Sequence, residues 1–393
     1  MADVGKGMNR RSWLRGAAAL GAAGAAGVLW RALDQELVLG GDAAATEPWR
    51  SWRGEATEGP LALVAAAVLA ASPHNTQPWR FAVGGDRIEL HADDSRHLGA
   101  IDPLRRELHL GLGCALENLL LAAGPHGFAA RATCLPAGDA AAPVARIELA
   151  SAPPTSSALY EAIPRRHTHR GPYRLESPIA ASTLAELEAL AADLPQTRLV
   201  WWSAAAERAR FASATVAATR AIVADEEQSR VSHAWMRFDA DEIARRRDGL
   251  TVDALGLPPL LGAVVKLLPA PSRRRLDAGW LAATEEVHTA TAPLFGAVAV
   301  RDPRDRPSRL AAGRLWQRLQ LRAGLEGIAG QPLSQLVERR DREQELGLAP
   351  EFGDALGELL GSRDWHAVLP FRLGIPTRPS GPSPRRTLES VVL

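Results

Sequence analysis

Ten consecutive residues, Ser72-Pro73-His74-Asn75-Thr76-Gln77-Pro78-Trp79-Arg80-Phe81, crowd two carboxamides, two hydroxyls and an imidazole into one short segment. Pro73 and Pro78 stiffen its backbone. Asn75 and Gln77 offer amide donors and acceptors together, and Trp79 adds a flat apolar wall carrying one N–H. That mixture suits a planar heteroaromatic ligand with a polar edge. It equally suits a proline-stiffened turn above a core tryptophan, and local chemistry leaves both readings open. A second constellation is Arg166-His167-Thr168-His169-Arg170. An extended backbone puts residues i, i+2 and i+4 on one side, so Arg166, Thr168 and Arg170 can converge as two guanidinium forks and a hydroxyl. Charge-assisted forks of that kind recognise a phosphomonoester; the competing reading is a solvated basic loop.

Two further segments complete the set. Ala329-Gly330-Gln331-Pro332-Leu333-Ser334-Gln335 follows a helical stretch and reads, taken alone, as a helix-capping turn. Ser383-Pro384-Arg385-Arg386-Thr387-Leu388-Glu389 places Arg385 and Arg386 just before a short apolar end; the other reading is a basic tail. His74, His167 and His169 are read as pocket-lining or solvated residues rather than general acids, and no catalytic residue stands out.

The elements that must position these residues follow from periodicity. Leu61 to Ala71 is predicted as a buried helix, and Arg80 to His91 as a hairpin turning at Gly84-Gly85. Residues 102–123 carry Leu104, Leu108, Leu112, Leu116, Leu119 and Leu120 on one stripe, which predicts a long packed helix. Strands are predicted at 131–135 and 144–149, and Pro153-Pro154 marks a boundary between two halves. In the second half, helices are expected at 181–192, 204–228 and 307–324, and strands at 198–202, 294–300 and 364–373. The stretch 230–280 reads as irregular, a candidate lid or substrate loop. Alternating helices and strands with hairpin-like pairs predict an α+β layered fold with a mixed, mainly antiparallel sheet.

Composition narrows the function classes. With 393 residues, 46% apolar and 23% charged, the chain is an ordinary globular protein, and a net charge of +1 gives no electrostatic case for nucleic acid. Cys114 and Cys134, the two cysteines, read as small buried apolar residues. The ten histidines form no ligand pair of the H-E-x-x-H kind, so no metal site is expected.

The segment Ser72 to Phe81 resembles the S-x-x-N-x-Q-P-W-x-F motif of the nitroreductase-like FMN flavoproteins. Arg166, Thr168 and Arg170 match, position by position, that family's R-x-S/T-x-K/R phosphate clamp. Pro332, Leu333 and Ser334 match its proline loop, whose amides lie against the flavin N5 edge, although Ser-Gln here replaces the frequent Glu-Gly. Arg385 and Arg386 match in kind the basic residues near the family's C-terminus that reach the phosphate. The resemblance implies FMN as cofactor, with Asn75 and Gln77 at the ring or ribityl edge. Here the Asn-Gln-Pro-Trp segment falls only in the first half and the other three elements only in the second. The halves are therefore complementary, as in a fused intramolecular pseudo-dimer with one composite flavin site. This layout, with Arg247-Asp248-Gly249-Leu250 in the middle, is similar to the Acg branch. The implied organisation is a signal or anchor over 1–45, a first half over 46–153 and a second half over 154–393 with a lid at 230–280.

Asn9-Arg10-Arg11-Ser12-Trp13-Leu14-Arg15, followed by a weakly apolar run from Gly16 to Trp30, has the layout of a twin-arginine signal. Ala43-Ala44-Ala45 would suit cleavage, and an uncleaved segment would act as an anchor. The expectation is export by the twin-arginine machinery to the periplasm or the outer face of the cytoplasmic membrane. NAD(P)H is not expected there. The implied activities are therefore an FMN-dependent oxidoreductase acting on an unidentified small molecule, or a non-catalytic protein that binds or sequesters FMN.

Overall fold

The computed structural model describes residues 44–54, 58–135 and 142–393. The twin-arginine motif and its apolar run lie outside the described residues. Among those described, no helix is long and apolar enough to cross a membrane.

The first half is built on helix α1 (Pro60–Val68), hairpin strands β1 (Trp79–Val83) and β2 (Arg87–Ala92), helix α2 (Arg106–Ala123), and strands β3 (Phe128–Cys134) and β4 (Ala145–Ser151). The strands form one antiparallel sheet in the order β1-β2-β4-β3. Burial along β4 alternates from Ala145 to Ala150, so one face of this sheet is packed and the other meets solvent. The leucine stripe of α2 is buried at Leu108, Leu112, Leu116 and Leu119. Leu104 falls just before the helix, because Asp102 accepts the backbone N–H groups of Glu107 and Leu108 and so starts it later.

The second half contributes strands β5 (Thr197–Trp202), β8 (Leu294–Val300), β9 (Ala329–Pro332) and β10 (His366–Gly374), an antiparallel sheet in the order β5-β8-β10-β9. Every residue of β8 is buried, as an apolar run covered on both faces must be. Helix α8 (Arg306–Leu325) packs on this sheet, as do α3 (Ala205–Ala224), α9 (Gln335–Leu346) and α10 (Glu351–Leu360). Layering on both faces is thus confined to the second half. Each four-stranded sheet is antiparallel throughout; parallel pairing occurs at the two-residue strands β6 (Met236–Arg237) and β7 (Leu250–Thr251) and at a bridge between Phe81 and Val392.

The stretch expected to be irregular is instead helical in four pieces: α4 (Glu226–His233), α5 (Ala240–Arg246), α6 (Pro259–Leu267) and α7 (Arg273–Ala283). Asp225 and Asp239 cap the first two by accepting backbone N–H groups. Gly and Pro between the helices hide their short periods in the sequence.

At the crossing of two long helices, three contacts help to hold the halves together. Helices α2 and α8 cross with Gly113 and Gly313 face to face, and Cys114 donates its S–H to the Gly313 carbonyl at 3.2 Å. Glu117 of α2, buried, accepts from Arg314 at 2.8 Å and from Arg318 at 2.6 Å. Asn118 and Gln317 bridge at 2.8 Å, Asn118 donating onward to the Ala66 carbonyl. One apolar core runs through both halves, containing Leu63, Trp79, Leu116, Leu315, Trp316 and Phe371. The final residues then return to the first sheet, where Leu393 donates its N–H to the Phe81 carbonyl at 2.8 Å.

Candidate functional site

A cavity of about 660 Å³ opens where the halves meet, within the size range of cofactor pockets. The first half contributes Ser72, Pro73 and His74 from the turn after α1, and Glu107, Leu110, Gly111 and Cys114 from α2. The second half contributes Thr168, Arg170, His288, Trp316, Gln331, Pro332, Ser334 and Glu338. The remaining wall is the four-helix stretch, through residues such as Ser232, Phe238, Leu268 and Trp280.

The expected site residues divide between the cavity and its surroundings. Thr168, Arg170, Pro332 and Ser334 line it. Arg166 lies behind them, 6% exposed, with one guanidinium nitrogen on Gln320 at 3.2 Å and its Nε without a partner. Arg385 lies beside Arg166, also buried, and its Nε too has no partner. Trp49 stacks against both, with the Arg385 guanidinium 4.6 Å and that of Arg166 5.9 Å from the ring centroid. None of Arg166, Arg170 and Arg385 has a carboxylate partner among the described residues. Burial, and for Arg166 the nearby Arg170, pulls the Arg166 guanidinium down to about 10; burial pulls Arg170 down to about 10 as well. Buried cations normally carry counter-charges, so this cluster is suited to an anion.

Asn75 and Gln77 are elsewhere. Their side chains do not line the cavity but hold other backbone: Asn75 donates to the Pro384 carbonyl at 2.9 Å and accepts from Arg385 at 2.6 Å. Gln77 donates to the Arg247 carbonyl at 2.7 Å and accepts the Arg386 N–H at 2.8 Å. The physical reason is a left-handed backbone at His74, Asn75 and Gln77 (φ 46, 54 and 52), which turns both amides toward the returning C-terminal segment. Arg386 likewise binds the Gln77 and Ser390 carbonyls rather than the cavity. Leu333 departs too: its side chain sits in the core with Phe211 and Leu336, and its amide donates to the Pro370 carbonyl at 2.8 Å.

Periodicity and motif spacing did not point to His288, Glu107 or Glu338. His288 sits in a π-helical turn, Thr284–Thr289, a feature common at functional sites, and no local pattern in the sequence marks it. Burial, with Arg372 and Arg170 nearby, holds its imidazole well below the ordinary range. Burial, with Arg170 nearby, lowers His74 to about 4. Burial, with Arg166 and Arg385 nearby, lowers His167 to about 3.

These neutral histidines set an acid limb. A histidine whose folded pKa lies below 6.5 leaves the unfolded chain binding more protons, so its stability is present above pH 6.5 and lost as pH falls toward the folded value. For His167 the window runs from 6.5 to about 3. His167→Phe, which keeps a ring against Trp49, should flatten that limb by about 1.4 kcal/mol per pH unit. Denaturant titrations between pH 4 and 7 check this; parallel curves for variant and wild type would refute it.

No family model matches the chain. It is similar to two Mycobacterium tuberculosis proteins, from strains CDC 1551 and H37Rv, each named "Putative NAD(P)H nitroreductase", at 36% identity over 128 residues. The match covers 32% of this chain and 37% of each relative, so the chain spans well under half the length of the curated relatives it matches. Among solved structures it is similar to the FMN and NADPH-dependent nitroreductase NfnB from a Sphingopyxis strain, HMH, at 18% identity and a TM-score of 0.38, over 61% of this chain and 98% of that one. It is also similar to a nitroreductase with bound FMN from Desulfitobacterium hafniense DCB-2, at 13% identity and a TM-score of 0.36, over 61% of this chain and 99% of that one.

Proposed function

We propose that the cavity is an FMN chamber and that the protein is a flavin-dependent oxidoreductase of the nitroreductase-like kind. The observation that carries this reading is the set of guanidinium groups beside Thr168 at the cavity, buried Arg166 and Arg385 and half-buried Arg170, none of which has a carboxylate partner among the described residues. A flavin phosphate supplies the missing anion. Thr168 and Arg170 would hold it directly, while Arg166 and Arg385 contribute positive field from behind. Bound FMN would supply two-electron redox chemistry. Around it the chain's own residues exclude water: Trp316, Leu110 and Leu369 form apolar wall, and Ser334 and Gln331 offer polar atoms from the proline loop.

A second reading is favoured by one observation. Residues from Ser232 to Ala283 wall the cavity, and His74 bonds Ser232 across the gap at 3.1 Å, a covered arrangement that would store flavin without turnover. Anaerobic titration separates the two: bleaching of the flavin bands by NADPH supports the enzyme, and bleaching by dithionite alone supports storage.

Arg170→Ala should weaken FMN retention by about 10- to 100-fold, the loss of one charged hydrogen-bonding group. Flavin absorbance after gel filtration measures it. Undiminished flavin in the variant would sink the phosphate assignment.

A further inference from the structure

Helix α6 (Pro259–Leu267) is rich in apolar residues, yet none of its residues is buried. Leu260 is 81% exposed, Leu261 47% and Val264 43%, and Leu268 at its C-terminal end is 55% exposed. Turning by roughly 100° per residue, the helix presents Leu260, Leu261 and Val264 on one side, which Leu268 extends by a further turn. Other exposed leucines, such as Leu175, Leu325 and Leu346, stand apart from this cluster along the chain, and scattered apolar residues of that kind are ordinary. Four together on one short helix are not. From residue 254 to residue 276 the chain has no Asp or Glu, but it carries Lys266, Arg273, Arg274 and Arg275. Lys266 pairs with Asp253 at 2.6 Å and Arg273 with Glu226 at 2.7 Å. Arg274 and Arg275 are exposed and have no carboxylate partner among the described residues. Arg275 and Leu268 both line the cavity, so the apolar patch and the basic pair meet at its rim.

We propose that this face docks onto the surface of a bilayer containing anionic phospholipid, with α6 lying in the plane of the interface. An interfacial helix needs an apolar side to bury at the acyl boundary and cations to meet the headgroups; Leu260, Leu261, Val264 and Leu268 supply the first, Arg274 and Arg275 the second. The nine residues of α6 rise only about 14 Å, against a hydrocarbon core of roughly 30 Å, so the helix lies on the membrane and does not span it. A second copy of this chain is the poorer occupant. Pairing about a two-fold axis sets a patch against itself, which would bring Arg274 and Arg275 against their own counterparts with no carboxylate from 254–276 between them. Docking would turn the rim of the cavity toward the lipid. It needs no flavin, because Leu260, Leu261, Val264 and Arg274 lie outside the cavity lining.

The test is co-sedimentation of the full chain with two kinds of vesicle, phosphatidylcholine alone and phosphatidylcholine mixed with phosphatidylglycerol. Wild type should bind the mixed vesicles about tenfold more tightly than the neutral ones, and high salt should remove that difference. Leu260→Asp combined with Leu261→Asp should weaken binding to both by about tenfold or more. Both positions are exposed and lie in the first turn of α6, where an acid suits the helix. The double variant should therefore keep the wild-type circular dichroism, so that the comparison reads docking and not folding. Arg274→Glu should weaken binding to the mixed vesicles and leave the neutral ones unchanged. As an independent readout, Leu260→Trp should add an emission that moves to the blue on mixed vesicles and is quenched by brominated acyl chains. Unchanged binding by the double variant would assign attachment to another part of the chain and overturn the proposal, as would a wild type that binds neither vesicle. A dimer that the double variant splits, without vesicle binding, would put a second copy on this face instead.

Discussion

Gly113→Ala should lose about 3 kcal/mol of stability or more, a large effect for one methyl group. A Cβ on Gly113 would overlap the Leu310 carbonyl oxygen and come within 2.9 Å of the Gly313 Cα; a Cβ on Gly313 would meet Leu110 in the same way. Neither obstacle is a flexible side-chain tip. Both are backbone atoms inside long helices, so α2 and α8 would have to move apart. That separation would also lengthen the Cys114–Gly313 and Glu117–Arg314 contacts and strip packing from Leu116 and Leu315. Gly313→Ala should behave alike, and the double variant should lose less than the sum of the two, since one separation relieves both clashes. Denaturant unfolding of the three variants checks this; a single variant within 0.5 kcal/mol of wild type, roughly the size of an ordinary surface change, would refute the crossing.

Asn75→Ala should cost about 3 kcal/mol and free the C-terminal segment to proteases. The change leaves the Pro384 carbonyl and one arm of buried Arg385 without partners, and an unmatched group beside a charge is costly. It also puts alanine at φ 54, a conformation that asparagine tolerates better. Asn75→Asp should retain more stability, because its carboxylate still accepts from Arg385 and supplies a counter-charge. Limited proteolysis with mass spectrometry would locate cuts in 375–393. If Asn75→Ala instead kept its tail protected and lost only flavin, the side chain would belong at the ring after all.

These two results bear on what was legible in the sequence. The β1–β2 hairpin, the leucine stripe of α2 and the apolar run of β8 are each written in local periodicity, and local periodicity found them. Thr168 and Arg170 could be picked out together because they lie two residues apart in one short run, and both line the cavity. Asn75 and Gln77 looked the same from a distance, yet their partners lie at Pro384, Arg385, Arg386 and Arg247. No pattern along the chain distinguishes an amide that meets a ring from one that meets a returning backbone. Glu107 and Glu338 are hidden for the same reason: they lie on different helices, far apart along the chain, and share a cavity wall only when the halves close. The helices of 226–283 were obscured differently, by glycines and prolines that break their short amphipathic periods.

The returning C-terminal segment has a consequence for how the protein comes to exist. Arg385 and Arg386 complete the turn at Asn75 and Gln77, and Val392 and Leu393 finish the edge at Phe81. During synthesis the first half emerges long before those residues are made, and nascent domains generally fold in order from the N-terminus. This one cannot finish in that order. Until residues 385–393 have emerged from the ribosome, its edge strand is unpaired and its strained turn is unsupported, so the arrival of this segment is the step that seals the first half. A chain cut before Arg385 would be trapped with an open edge, the state in which sheet proteins aggregate.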